Sequence, residues 1–332
     1  MSIDIPRVTI GIGHRYDSLY LRSGVVKVEG FDVEYPGPPE RGESRSQAQG
    51  PGYVAPSSIF TAVATQAVYD VGELALSTYF QAVDYGKEIT AIPVFPSRFF
   101  PHSQIAVHSD SDIKEPKDLV RKRFGVGSFS KNYAVWLRGI LKDQYDVPAE
   151  KIIWVEDEPE HFSQYRPPAR FTVEKAPDGE TLRSLLDAGK IDALAAPRVP
   201  ERSKSPKVRA LFENPYTEIR EYFRRHSFFP INTVLTVPKA TLKKSPDLPR
   251  AVFTAFESAL GLYREELRKG GREDEHSGLS LKRLEEEAGV TLPGYGFKEN
   301  RENLATMIRY CYGQGVIQRR YEPEELFLLT ET

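Results

Sequence analysis

Cysteine is almost absent. Cys311 stands alone in 332 residues, so no intrachain disulfide can form and no cysteine-rich zinc site exists. An excess of charge is also missing: 45 Lys+Arg face 47 Asp+Glu, a formal net charge of -2. A protein that draws its affinity from phosphate contacts needs a basic surplus, so nucleic acid is not the expected partner. No apolar run reaches the length of about 18 residues that a membrane span requires, and no membrane partner is expected. The start, Met1-Ser2-Ile3-Asp4-Ile5-Pro6-Arg7, has neither the basic end nor the apolar stretch of a leader, which sets the expectation of a cytoplasmic location. There is no internal repeat. Gly125-Val126-Gly127 is too short to be a nucleotide fingerprint. His14 with Asp17, or His102 with His108, form no recognisable ligand set, so neither metal nor cofactor is expected.

The chain has the makings of a substantial core. Hydrophobic residues make up 40%, aromatics 11% and charged residues 28%. At about 150 residues per domain, the length suggests two domains. Short β-branched runs at 7–12, 31–35, 74–76, 91–95, 104–108, 124–126, 151–155 and 191–196 read as strands. Apolar residues at helical spacing read as helices over 57–69, 133–141 and 180–188. The alternation implies a parallel sheet with helices on both faces. Beyond 200 the rhythm changes to one strand at 232–237 and long helices at 251–267 and 303–312. The stretch 36–56 is rich in Pro, Gly, Ser and Gln and reads as a long loop, either mobile or a functional lid.

Several blocks resemble one family. They are Glu73-Leu-Ala-Leu-Ser-Thr78, Ala91-Ile-Pro-Val-Phe-Pro-Ser-Arg98 with His102-Ser103, Trp136-Leu-Arg-Gly-Ile-Leu141 and Gly179-Glu-Thr-Leu182. To these are added Ala188-Gly-Lys-Ile-Asp-Ala-Leu194 with Pro197-Arg198, Tyr222-Phe-Arg-Arg225, Phe229-Pro-Ile231 and Glu322-Pro-Glu-Glu-Leu-Phe327. Together, over about 7–327, they resemble the 4,5-dihydroxyphthalate decarboxylases. The resemblance implies an α/β, two-lobed fold of the periplasmic-binding-protein type II kind, the second lobe inserted into the first. The expected division is 1–105 plus 201–332 for lobe 1 and 106–200 for lobe 2, with the ligand cleft between them. It also implies a cofactor-independent carboxy-lyase acting on a small hydroxylated aromatic acid; a homo-oligomer is left open. Where the family usually continues Phe-Pro-Ile with Met-His, this chain has Asn232-Thr233. A titratable group is thereby lost. The expectation is weak turnover of 4,5-dihydroxyphthalate itself and activity on a differently substituted acid.

In open α/β sheets, ligands sit beyond the carboxyl ends of the strands. That rule selects Arg15, Ser77, Thr78, Ser97, Arg98 and His102 in the first part of the chain. It then selects Ser128, Asn132, Glu180, Arg198, the cluster Arg224-Arg225-His226 and Asn232. Arg98 could grip a carboxylate through its planar fork, or be a surface or ion-paired arginine. His102 could supply the proton, or be a hydrogen-bonded structural histidine. Ser128–Asn132 opens a helix whose free N–H groups suit an anion, or the serines simply cap it. Glu180 could bind a phenolic hydroxyl or stabilise a helix start. Arg198 could be a second clamp or a hinge ion pair, and the 224–226 cluster a solvated helix face. Tyr79, Phe95, Phe99 and Trp136 could wall a flat ring or belong to the core. The catalytic scheme expected is therefore Arg98 as anchor and His102 as acid. A non-catalytic binding protein for an aromatic or dicarboxylic acid, or another lyase on the same scaffold, are the alternatives.

Overall fold

The computed structural model describes residues 5–36, 56–66, 68–195, 207–271, 273 and 279–328. The expected loop at 36–56 and the candidate Arg198 fall almost wholly or wholly outside them. The chain opens with β1 (Arg7–Gly11), α1 (Tyr16–Arg22), β2 (Asp32–Glu34), α2 (Pro56–Gln66), β3 (Val71–Ala75), α3 (Leu76–Asp84) and β4 (Ile89–Ile92). It then crosses over into β5 (Ile105–His108), β6 (Arg123–Val126), α4 (Asn132–Tyr145), β7 (Ile153–Glu156), β8 (Thr172–Lys175), α5 (Leu182–Asp187), β9 (Ala193–Ala195) and β10 (Val208–Ala210). After α6 (Pro215–His226) it returns as β11 (Thr233–Pro238). The C-terminal part is helical: α7 (Lys239–Lys244), α8 (Leu248–Arg268), α9 (Leu281–Ala288) and α10 (Phe297–Gly313).

Two sheets result. The first has the order β2-β1-β3-β11-β4 and the second β10-β5-β9-β6-β7-β8. Both are mixed, which corrects the expectation of a parallel sheet. β11 enters the first sheet from the crossover side and lies antiparallel to β3 and β4, with Thr233 opposite Ala75 and Leu235 opposite Ile92. β5 arrives by the outgoing crossover and lies antiparallel to β9 and β10. β3 is buried at all five positions, as a strand covered on both faces must be. Gly72 within it is required by α2, because a Cβ there would stand 2.6 Å from Val63 Cγ2.

α3 leaves β3 with no intervening loop, Ala75 serving as its extended N-cap. The α4 helix starts six residues after β6, past the segment Gly127–Lys131. α10 packs on both α3 and α4 and so ties the helices of the two sheets together. Between the sheets the chain passes through Pro93–Gln104 and back through Phe228–Asn232. Phe100 and Phe229, one from each pass, stack with centroids 4.5 Å apart. No described helix is long and apolar enough to cross a membrane.

Candidate functional site

The carboxyl ends of β3 and β6 bring two helix starts together. At the first turn of α3, the Ser77 N–H donates to Asn132 Oδ1 at 2.9 Å, and Ser77 Oγ donates to the Ser130 carbonyl at 2.9 Å. Asn132 Nδ2 reaches the return pass, donating to Ile231 O and Asn232 Oδ1, both at 3.2 Å. Asn232 Nδ2 in turn donates to Ser97 Oγ at 3.3 Å. The Asn232 carbonyl accepts the Leu76 N–H at 2.9 Å. Four sequence candidates, Ser77, Ser97, Asn132 and Asn232, thus form one hydrogen-bonded seam between the sheets. The neighbouring Thr78 Oγ1 is buried with no hydrogen-bond partner. Such a hydroxyl gives up its hydration without return unless something else binds it.

The other candidates are placed differently. Arg15 forms a buried two-pronged ion pair with Glu73 at 3.0 Å on both sides, and Glu73 also accepts the Gly13 N–H at 2.9 Å. Its fork is committed to the protein, and its work is to hold the loop after β1. His14 lies in that loop, half-buried; burial and the charges of Arg22 and Arg15 lower its pKa. Ser128 donates to Glu160 Oε2 at 3.1 Å, and Ser130 donates to the same carboxylate through its N–H, at 3.0 Å, and its hydroxyl. Glu156 accepts the Phe129 N–H, and its pKa is raised chiefly by burial. The anion site expected before α4 is therefore filled by the chain's own acidic run, Glu156-Asp157-Glu158-Pro159-Glu160. Its Glu158 also pairs with Lys131.

Glu180 stands away from the seam. Its carboxylate accepts from Ser184 Oγ at 2.6 Å and Lys190 Nζ at 3.0 Å, which lowers its pKa, so it stabilises the start of α5. His102 is only 3% exposed and sits among Phe100, Tyr145, Phe212 and Tyr222. Its Nε2 meets Gln144 Oε1 at 2.8 Å, while Nδ1 has no partner. Burial pushes its pKa down to about 4, so it is a neutral imidazole at physiological pH.

Arg98 points elsewhere again. It forms a backbone bridge with Ile231. Its guanidinium donates to Phe229 O at 3.0 Å, Gly294 O at 3.2 Å and Asn300 Oδ1 at 2.7 Å. Successive side chains on an extended segment face opposite ways. Ser97 accordingly meets the seam, and Arg98 a pocket on the far side, lined by Phe95, Phe229, Leu260, Tyr263, Leu281 and Tyr295, among others. Tyr79, Phe99 and Trp136 are buried core residues. Trp136 Nε1 donates to Ile231 O at 2.8 Å, one helical turn along from Asn132. Arg224 and Arg225 are exposed on the last turn of α6.

Sequence reasoning missed Glu73, Glu160 and Arg138. Glu73 lies 58 residues from Arg15, and no local pattern joins them. The acidic run at 156–160 was a readable signal, since five residues with four carboxylates seek donors somewhere. Arg138 is 1% exposed, with its guanidinium carbon 3.7 Å from the centroid of Phe129. It donates to Gln314 Oε1 at 2.7 Å and to Phe129 O, and Nη1 has no partner. Among the described residues no group of three His, Cys, Asp or Glu side chains could hold a metal.

Comparison with known proteins places this geometry in context. The chain is 32% identical over 287 residues to a 4,5-dihydroxyphthalate decarboxylase of Comamonas testosteroni, covering 82% of this chain and 86% of that one. It is 34% identical over 181 residues to the 4,5-dihydroxyphthalate decarboxylase of Pseudomonas putida, covering 52% of this chain and 70% of that one. No family model matches. Among solved structures it resembles the periplasmic aliphatic sulphonate binding protein SsuA of Escherichia coli, with TM-score 0.52, 13% identity, and coverage of 98% and 99%. A sulfonate-binding protein from Methylobacillus flagellatus matches with TM-score 0.59, 11% identity, and coverage of 98% and 92%. The desulfurization enzyme DszB matches with TM-score 0.53, 14% identity, and coverage of 97% and 96%. The fold is that of the type II periplasmic binding proteins, as the sequence blocks implied.

Proposed function

Because the chain belongs to the 4,5-dihydroxyphthalate decarboxylase family, we propose that it is a carboxy-lyase that removes CO₂ from a hydroxylated aromatic dicarboxylic acid at the seam between its two sheets. The observation that supports this reading most is the buried Thr78 hydroxyl, which has no partner, at the seam where the carboxyl ends of β3 and β6 meet.

The reaction breaks the bond between the ring carbon and the carboxylate carbon. The electron pair of that bond stays with the ring, CO₂ departs, and one proton is added at the same ring carbon. A phenolic hydroxyl ortho or para to that carbon allows the proton to arrive first, through the keto tautomer, so that the ring never holds a full negative charge. Such a site needs an anchor for the carboxylate that remains and an acid for the ring carbon. The hydroxyl of Thr78 and the amide of Asn232 suit the anchor, each by hydrogen bonding. His102 does not suit the acid, since it is boxed in by Phe100, Tyr145, Phe212 and Tyr222 and turned towards Gln144. His14, half-buried beyond the end of β1, takes that role in this scheme. The Asn232-Thr233 pair is tied to Ser97 from both residues, Thr233 Oγ1 accepting the Ser97 N–H at 3.1 Å. With no titratable side chain there, the substrate proposed is an acid substituted differently from 4,5-dihydroxyphthalate.

The test is turnover of a panel of hydroxylated phthalates and related aromatic acids by the purified protein, followed as released CO₂ and product mass. Release from at least one of them, abolished in His14→Asn with ligand binding retained, is the expected result. Saturable binding of these acids with no CO₂ from any of them would instead make the chain a binding protein. Full turnover by His14→Asn would remove His14 from the scheme.

A further inference from the structure

The return pass that carries Asn232 has two edges, because the peptide groups of alternate residues in an extended segment face opposite ways. One edge is paired with the outgoing pass. There the Phe99 N–H donates to Pro230 O at 3.1 Å, and the Asn232 N–H donates to Ser97 O at 2.8 Å. The other edge presents Phe229 O, Ile231 N–H and Ile231 O, and side chains bind it. Asn303 on α10 offers its amide there as a neighbouring strand would offer a peptide group. Its Nδ2 donates to Phe229 O at 2.7 Å, and its Oδ1 accepts the Ile231 N–H at 3.4 Å. Arg98 Nη1 adds a second donor to Phe229 O, and Asn132 Nδ2 and Trp136 Nε1 share Ile231 O. Asn303, Phe229 and Ile231 are all buried, where a peptide group left unpaired is costly.

Asparagine is a weak helix former, and α10 otherwise turns Leu304, Met307 and Ile308 to the core. A leucine at 303 would suit the helix better, so the amide is there for its partners. Those partners are the two residues that straddle Pro230, immediately before Asn232. How they are held determines where the Asn232 side chain enters the seam. We propose that Asn303 is a positioning residue: by gripping Phe229 and Ile231, it fixes the return pass so that the Asn232 amide meets the carboxylate of the ligand. The inference rests on the reading of Asn232 as part of the anchor.

A double-mutant cycle on phthalate binding, read by calorimetry on the whole chain, tests it. Phthalate has the carboxylates but no phenolic hydroxyl, so in the scheme above it binds without turnover. Asn232→Ala should weaken phthalate by about tenfold, the worth of one hydrogen bond to a charged group. Asn303→Leu should weaken it by a similar factor while circular dichroism stays unchanged. The double variant should bind no more weakly than Asn232→Ala alone, because a residue that acts only through Asn232 has nothing left to position. Asn303→Asp, which keeps the acceptor and the shape but loses the donor to Phe229 O, takes the place of Asn303→Leu in the cycle if that variant does not fold. Wild-type affinity in the Asn303 variant, or effects that multiply in the double variant, would overturn the positioning role and leave the anchor standing. No phthalate binding by the wild type, or binding untouched by Asn232→Ala, would remove the anchor and the positioning role with it.

Discussion

Burial among Phe100, Tyr145, Phe212 and Tyr222 removes the water that would solvate an imidazolium at His102, and Gln144 returns a single hydrogen bond. Desolvation wins, and the pKa falls from 6.5 to about 4. The consequence for stability has a definite sign. Below pH 6.5 the unfolded chain takes up a proton that the folded chain refuses, so stability is lost as the pH falls from 6.5 towards 4. The loss is on the order of 1–3 kcal/mol by pH 4, since each unit of difference is worth about 1.4 kcal/mol. His102→Phe removes the proton site while keeping an aromatic ring. Its urea midpoint should fall less between pH 7 and pH 4.5 than that of the wild type. An equal fall in both proteins would show that His102 is not what acid attacks. At this scale the sequence was only partly informative. Strand-end logic named Ser77, Ser97, Asn132 and Asn232, because the direction of a backbone determines where its next side chains appear. It could not show that Arg15 would be claimed by Glu73, or that Arg98 would turn its side chain away from Ser97. Those outcomes depend on partners that no spacing rule reaches.

At the scale of elements, two glycines in helices give opposite expectations. In α4, a Cβ at Gly139 would fall 2.2 Å from Cε2 of Tyr310 on α10, deep inside contact distance. Gly139→Ala gains about 1 kcal/mol of helix propensity but forces two helices apart. Overpacking of this kind costs about 1–3 kcal/mol, so a net destabilisation is expected. In α8, Gly261 is exposed and a Cβ there meets nothing within 4 Å. Gly261→Ala should stabilise by up to about 1 kcal/mol. Chemical denaturation of the two variants checks both signs; destabilisation by Gly261→Ala, or none by Gly139→Ala, would contradict this account of the packing. The same close contact shows what made elements legible or not. Strands such as β3 and β6 and helices such as α4, α8 and α10 were readable because a buried element repeats its apolar residues at its own period. α1, α6 and α9 were not singled out, being short or having polar residues over most of their surface. The sense of β5 and β11 was not readable either. Strand direction is set by how the chain enters the sheet, and the two crossovers leave no mark on the hydrophobic pattern.

Across the whole molecule, two passes of chain and one seam determine how the sheets face each other. The passes are packed through Phe100 and Phe229, and Trp136 anchors α4 to Ile231. The first of these contacts is apolar, and the second shares the Ile231 carbonyl with Asn132. The seam itself rests on Asn132, which takes part in three hydrogen bonds, to Ser77, Ile231 and Asn232. Its partners lie 55 to 100 residues away along the chain, so the sequence names the seam's residues without showing that they meet. Each such bond contributes about 1 kcal/mol net. Asn132→Ala should therefore weaken the closed arrangement by about 1–3 kcal/mol while leaving the sheets folded. The discriminating measurement is amide hydrogen exchange read residue by residue. The Ser77 N–H loses its acceptor directly, so the sharper reporter is Leu76, whose N–H donates to Asn232 O on the return pass. In Asn132→Ala, Leu76 should exchange at least tenfold faster, while amides of β6, inside the second sheet, keep their protection. Equal acceleration at Leu76 and throughout β6 would mean that the substitution lowers global stability and that the seam does not open as a unit. Unchanged exchange at Leu76 would mean that the two chain passes, with their aromatic packing, hold the sheets together without it.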